Sequence, residues 1–144
     1  MGRFKQGLYN PKNPDKYIGD IKKIRYMSSW ELSMHSFLDN NLKIIRWSSE
    51  TIAVPYIKPT DNKIHRYFPD YYVEYIDKNN KMRRLIIEVK PHKQTKVSRA
   101  RNTKNKVYDD IQLAVNLAKW KACTEFCNHN RLEFQIITEK QMFT

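Results

Sequence analysis

Apolar residues recur along this chain in two rhythms, and the rhythms divide it into elements. Ser28-Ser29-Trp30-Glu31 opens a helix, because Ser28 with Glu31 three positions on fits a capping box. Trp30, Met34, Phe37 and Leu38 then recur at helical spacing and predict its buried stripe, and Asn40-Asn41 ends it. The spacing next predicts short strands over 42–47 and 51–57, with Pro55 placing the second at an edge or strand end. A turn at 58–62 leads into a tyrosine-rich strand over 65–76, a hairpin loop at 77–80 and a return strand over 81–90. Pairing Ile76 with Lys81 sets Asp70 opposite Ile87, one step from Glu88. Val107, Ile111, Ala114, Val115, Ala118, Ala122 and Phe126 predict one stripe of a long helix over 107–128, and a last strand covers 132–138. Helix, strands, helix, strand is the order of an α/β domain with a mixed sheet flanked by helices.

Residues 1–27 follow neither rhythm. They are polar, basic and punctuated by Asn10-Pro11 and Asn13-Pro14, and predict an extended basic arm with one short turn around 18–24, ahead of a single domain over 28–144. The arm can wrap the domain or reach a partner.

The other unpatterned stretch, 91–106, carries Lys93, Lys96, Arg99, Arg101, Lys104 and Lys106 and no acid. A loop of that length inside a domain is uncommon unless it has a function. Here it predicts contact with the phosphate backbone of a nucleic acid. The whole chain supports a polyanionic partner: 27 Lys and Arg against 15 Asp and Glu give a net charge of +12. No apolar run approaches the roughly 18 residues of a membrane span, and the opening Met1-Gly2-Arg3-Phe4-Lys5-Gln6 has no apolar signal-peptide core. Cys123 and Cys127 are expected as free thiols on the long helix, since two thiols and one nearby His129 make a poor zinc set.

The candidate chemistry lies on the two hairpin strands. Alternation places Glu88 and Lys90 on one face of the strand Leu85-Ile86-Ile87-Glu88-Val89-Lys90, with Leu85, Ile87 and Val89 on the other. Asp70, from Phe68-Pro69-Asp70, joins them across the hairpin. Two carboxylates suit a hard divalent cation, Mg²⁺ or Mn²⁺, with the Val89 carbonyl as a neutral ligand between them. Lys90 beside such an ion can orient an attacking water and offset charge on a phosphate.

Pro69-Asp70 followed by Glu88-Val89-Lys90, between a helix bearing Glu31 and a later long helix, resembles the core of the PD-(D/E)xK, or restriction-endonuclease-like, nuclease superfamily. A closer resemblance runs along most of the chain. Met1-Gly2-Arg3-Phe4, the stretch from Pro11 to Gly19, Ser28-Ser29-Trp30-Glu31 and the stretch from Ile87 to Gln94 look like the head completion nucleases of T4-like tailed phages. The resemblance implies a Mg²⁺-dependent deoxyribonuclease with Asp70, Glu88 and Lys90 as its catalytic centre. It adds Glu31 as the helix acid that completes the metal shell or binds a second ion, and Gln94 as a phosphate contact beyond the lysine. It also implies double-stranded DNA as substrate, phage head or portal proteins as partners, and the host cytoplasm during assembly, with or without retention in the virion. Two alternatives keep the fold: a DNA- or capsid-binding assembly factor without chemistry, and a junction-resolving endonuclease.

Overall fold

The run 65–76, expected as one strand, is two. Pro69 has no N–H to give a ladder, and the chain turns at Phe68-Pro69-Asp70. The computed structural model describes residues 6–91, 95–96, 103–138 and 141. In it Val54–Lys58 (β4) and Lys63–Tyr67 (β5) form a separate antiparallel hairpin, while Tyr71–Ile76 (β6) enters the main sheet. That sheet also contains Ile44–Ser49 (β3), Met82–Val89 (β7) and Glu133–Ile137 (β8), in the order β3-β6-β7-β8. The β3–β6 and β6–β7 pairs are antiparallel and β7–β8 is parallel, so the sheet is mixed, as the order of elements predicts.

Register differs from expectation by one residue. Ile76 pairs with Met82, not Lys81, because the turn takes one residue more: Asp77 N bonds to the Lys81 carbonyl and Asn80 adopts φ 64°. Tyr71 pairs with Ile87, so the next step of the ladder sets Asp70 across from Glu88 itself. The shift brings the two carboxylates onto one face.

Alternation along β7 divides two cores. Ile87, with Leu85 and Val89 beside it, packs with Ile24, Met34, Leu38, Trp47, Tyr71 and Val73 under the helix Ser29–Asn40 (α1). Ile86 packs on the opposite face with Val54, Tyr56, Tyr67, Val115, Trp120, Cys123, Cys127 and Leu132 under the helix Thr103–His129 (α2). Glu88 and Lys90 share the α2 face with Ile86. Both cysteines are free and buried there, as expected.

The helix stripes agree in part with the sequence reading: Met34, Leu38 and Val115 are buried as expected, and Ala118, Ala122 and Phe126 pack against the α2-side core. On α1, Met34, His35, Leu38 and Asp39 are buried and Phe37 is 54% exposed. On α2 the buried positions are Val115, Asn116, Trp120, Cys123 and Cys127, whereas Val107, Tyr108 and Ile111 are 53%, 63% and 43% exposed. Length explains this. At 1.5 Å per residue α2 is about 40 Å long, and at about 3.3 Å per residue β7 is about 26 Å, so the first turns of the helix run beyond the sheet. The helix also begins at Thr103, earlier than expected, because nothing in Thr103-Lys104-Asn105-Lys106 breaks it. No helix among the described residues is long and apolar enough to cross a membrane.

The N-terminal segment lies against the α1 side. Gly7–Leu8 (β1) pairs with Arg25–Tyr26 (β2), and the turn expected around 18–24 is a 3₁₀ turn over Ile21–Lys23. Ile18 N donates to the Trp47 carbonyl at 2.8 Å, which covers the β3 edge of the sheet. Asp39, at the end of α1, ties the segment down. Its carboxylate accepts from Tyr9 Oη at 2.7 Å, Lys12 N at 2.7 Å and Asn13 N at 3.0 Å.

Candidate active site

Asp70 stands where β6 begins, directly after the Pro69 turn, and Glu88 stands near the end of β7 across from it. The Val89 N–H donates to Asp70 Oδ2 at 2.7 Å. The N–H and C=O of one strand residue leave on the same side of the strand. The Val89 carbonyl therefore faces the β6 side, as its N–H does. Lys90 N turns the other way and donates to the Ile137 carbonyl at 3.0 Å, which fixes the end of β7 between its two neighbours. Lys90 Nζ lies 3.5 Å from Glu88 Oε2. Glu88 is only 4% exposed and Lys90 is half-buried.

The electrostatics follow from this packing. Burial raises the Asp70 pKa first, and the neighbouring Glu88 charge raises it further. The Val89 N–H and Lys90 pull it down. The balance pushes Asp70 up to about 8. At neutral pH Asp70 is thus largely protonated. Two hard carboxylate donors with a carbonyl alongside suit Mg²⁺ or Mn²⁺.

Glu31 comes from the other layer. It lies on α1, against the opposite face of the sheet, and its backbone carbonyl lies 3.3 Å from Tyr71 Oη. Its charge reaches Asp70 weakly. Its Oε2 accepts from Met27 N at 3.1 Å and Ser28 Oγ at 3.3 Å, while Ser28 Oγ accepts from Glu31 N at 3.1 Å. Ser28 caps the helix as expected, but the Glu31 side chain returns to Met27 N and Ser28 Oγ and not to Ser28 N, and these bonds occupy the carboxylate expected to complete the metal shell. Among the described residues, no three His, Cys, Asp or Glu side chains gather closely enough to hold one ion. The structure therefore brings together Asp70, Glu88, Val89 and Lys90, and leaves Glu31 at the rim.

Two residues near the pair escaped the sequence reading. Glu50 follows β3 in a left-handed conformation (φ 55°), and its N–H donates to the Asp70 carbonyl at 3.1 Å. Nothing in the sequence marked it. Lys119 on α2 lies within electrostatic reach of Glu88 and Lys90. It left a trace: it sits one turn after Val115 and one turn before Cys123, a cation on the buried arc of the helix.

Of the residues expected to contact DNA, Lys93, Gln94, Arg99 and Arg101 lie outside the described residues. Lys96 is exposed. Lys104 and Lys106 belong to α2 and not to a loop; Lys104 is exposed, and Lys106 Nζ pairs with Asp110 at 3.2 Å.

A strand-turn-strand pair of carboxylates with a lysine two positions on, in a mixed sheet between two helices, is an endonuclease core. Residues 41–139 match the family described as "TnsA-like endonuclease N terminal", which spans β3 to β8 and includes Asp70, Glu88 and Lys90, and the chain belongs to that family. It is also similar to the "Head completion nuclease" of Enterobacteria phage T4, at 38% identity over 139 residues, covering 92% of this chain and 90% of that protein. A match over 92% of the chain takes in most of the N-terminal segment, ahead of residues 41–139.

Proposed function

We propose that this protein is a metal-dependent DNA nuclease that hydrolyses phosphodiester bonds during phage head completion, before head and tail join. The observation that carries the chemistry is the Asp70–Glu88 pair, set across the β6–β7 ladder with the Val89 backbone between them. The head-completion role rests on the similarity to the T4 protein. Double-stranded DNA is the substrate, the filled head the partner, and the host cytoplasm the place of action.

Asp70, Glu88 and the Val89 carbonyl would hold Mg²⁺ or Mn²⁺, which when bound supplies Lewis acidity toward the phosphate and an acidified water. The chain's own groups do the rest. The Val89 N–H fixes one Asp70 oxygen, so the carboxylate needs little reorganisation. Lys90, held 3.5 Å from Glu88, orients the attacking water and offsets charge on the phosphorus. Glu31, released from its cap, would add a third carboxylate at the rim. The basic residues Lys93, Lys96, Arg99, Arg101, Lys104 and Lys106, together with Gln94, would hold the duplex backbone beside this centre.

Incubation with linear and with circular duplex DNA in Mg²⁺, and again in EDTA, tests the reading. Wild type cleaves in Mg²⁺ only, and Asp70→Ala and Glu88→Ala do not cleave. Equal cleavage by wild type and both variants removes the assigned site. DNA binding without cleavage in any divalent ion leaves an assembly factor on a nuclease fold.

A further inference from the structure

Lys119 is an unusual lysine. Its ammonium lies 5.7 Å from the centroid of the Tyr67 ring and 5.9 Å from that of Tyr56, above two side chains of the α2-side core. It takes part in none of the described ion pairs. Its surroundings are half-buried and mostly cationic: Lys90 and Lys58 repel it, and among the described residues Glu88 alone attracts it. Two tyrosine faces compensate a desolvated ammonium in part. A second lysine brought close adds repulsion that folding alone does not require.

The Tyr67 hydroxyl is buried in the same cluster, with the Glu88 carboxylate as the acceptor beside it and no well-aligned bond between them. One carboxylate thus serves two ammoniums and a hydroxyl, which leaves the cluster short of negative charge and of acceptor oxygens. A phosphate provides both.

We infer that Lys119 is a second cation of the cleavage centre, contacting a non-bridging oxygen of the DNA phosphate at or next to the scissile bond from the α2 layer, as Lys90 does from the sheet. The inference rests on the nuclease reading above and adds a residue to its site. Lys119 makes and breaks no bond. It draws the phosphate toward Asp70 and Glu88 and offsets the charge that develops on it. The simpler alternative is that Lys119 only props the two tyrosines through its methylene stem.

Lys119→Met keeps the stem and removes the charge, and Lys119→Arg keeps the charge. Each is compared with wild type and Glu88→Gln by single-turnover cleavage at saturating duplex in Mg²⁺, by the salt dependence of duplex binding in EDTA, and by Tm. Cleavage by wild type and none by Glu88→Gln establishes the nuclease reading independently of Lys119. The expected result for Lys119→Met is an unchanged Tm, a rate lower by on the order of 10²-fold and a salt slope smaller by about 0.9, with both recovered in Lys119→Arg. Wild-type cleavage and slope in Lys119→Met overturn the inference. So does an arginine variant as slow as the methionine one with an unaltered slope. If Lys119→Met does not fold, Lys119→Gln is judged by the same criteria. If wild type cleaves nothing, the nuclease reading fails, and the slope alone decides whether Lys119 meets a phosphate.

Discussion

The Val89 N–H bonds Asp70 Oδ2 at 2.7 Å, joining the end of one strand to the carboxylate at the start of its neighbour. That bond stabilises the charged form of Asp70, but burial and the Glu88 charge outweigh it, and the carboxyl stays protonated up to about pH 8. A divalent cation held there, as proposed, would have to displace this proton. Mn²⁺ binding should therefore release close to one proton at pH 7, and its affinity should weaken by up to tenfold per pH unit below about 8. Calorimetry in buffers of different ionisation enthalpy measures both. An affinity that is flat between pH 6 and 8 contradicts the coupling.

The same strain has a sign in folding. A carboxyl whose folded pKa is raised above its unfolded value opposes folding increasingly as pH climbs from about 3.9 toward the folded value. Asp70→Asn removes the titration while keeping an oxygen to accept from Val89 N. At pH 8 and without metal the variant should melt above wild type, and it should lose DNA cleavage. A Tm equal to or below that of wild type would show that the carboxylates do not strain one another.

How much of this was legible in the sequence can be argued from single residues. Glu88 and Lys90 fall on one face from alternation alone. Asp70 was found too, but its exact partner was not, because a turn one residue longer is invisible until the Asp77–Lys81 bond is seen. Splitting 65–76 at Pro69 was readable from the missing N–H. The exposure of Val107 and Ile111 on the first turns of α2 was not readable, because periodicity does not report where a sheet ends. Glu50 gave no signal, since only the fold brings its N–H to the Asp70 carbonyl.

The basic segment gives a third test. Neutralising Lys93, Lys96, Arg99 and Arg101 together should lower the slope of log K against log salt by about 3 to 4 for duplex DNA. Lys106→Gln should lower it less than any of these, because its ammonium is already shared with Asp110. An unchanged slope in the quadruple variant would take the segment out of the interface.

His35 predicts an acid sensitivity distinct from that of Asp70. Its Nε2–H donates to the Arg25 carbonyl at 2.8 Å, which leaves Nδ1 to accept from Tyr71 Oη at 2.8 Å. Burial lowers its pKa, against the Arg25 carbonyl and the Glu50 charge, so the folded ring stays neutral where the unfolded ring takes a proton. Stability from this group is complete above about pH 6.5 and declines as pH falls toward the lower folded value. Asp70 contributes the opposite slope, so the test belongs in Asp70→Asn. There the urea midpoint should drop from pH 7.5 to 5.5, and His35→Gln should flatten the drop. A constant midpoint in Asp70→Asn refutes the assignment.

Asp39 should govern the N-terminal segment. Burial works to raise its pKa, yet the bonds from Tyr9, Lys12 and Asn13 prevail and hold it below the usual carboxylate value. Its contribution is therefore present above about pH 3.9 and is lost as pH falls through the folded value. Hydrogen bonds to a charged group are worth about 1.5–3 kcal/mol each where a partner is left unpaired. Lys12 N and Asn13 N can turn to water once freed, so Asp39→Ala should cost about one such bond in total. Ile24, 1% exposed in the α1-side core, adds roughly 2 kcal/mol by its own burial and should keep the segment docked from there onward. Limited trypsinolysis should thus cut after Lys12 much faster in Asp39→Ala than in wild type, at nearly unchanged DNA cleavage. Equal rates after Lys12 would mean that the remaining anchors, among them Lys16 Nζ on the Asp39 and Asn41 carbonyls, Ile18 and Ile24, hold the segment without the Asp39 carboxylate.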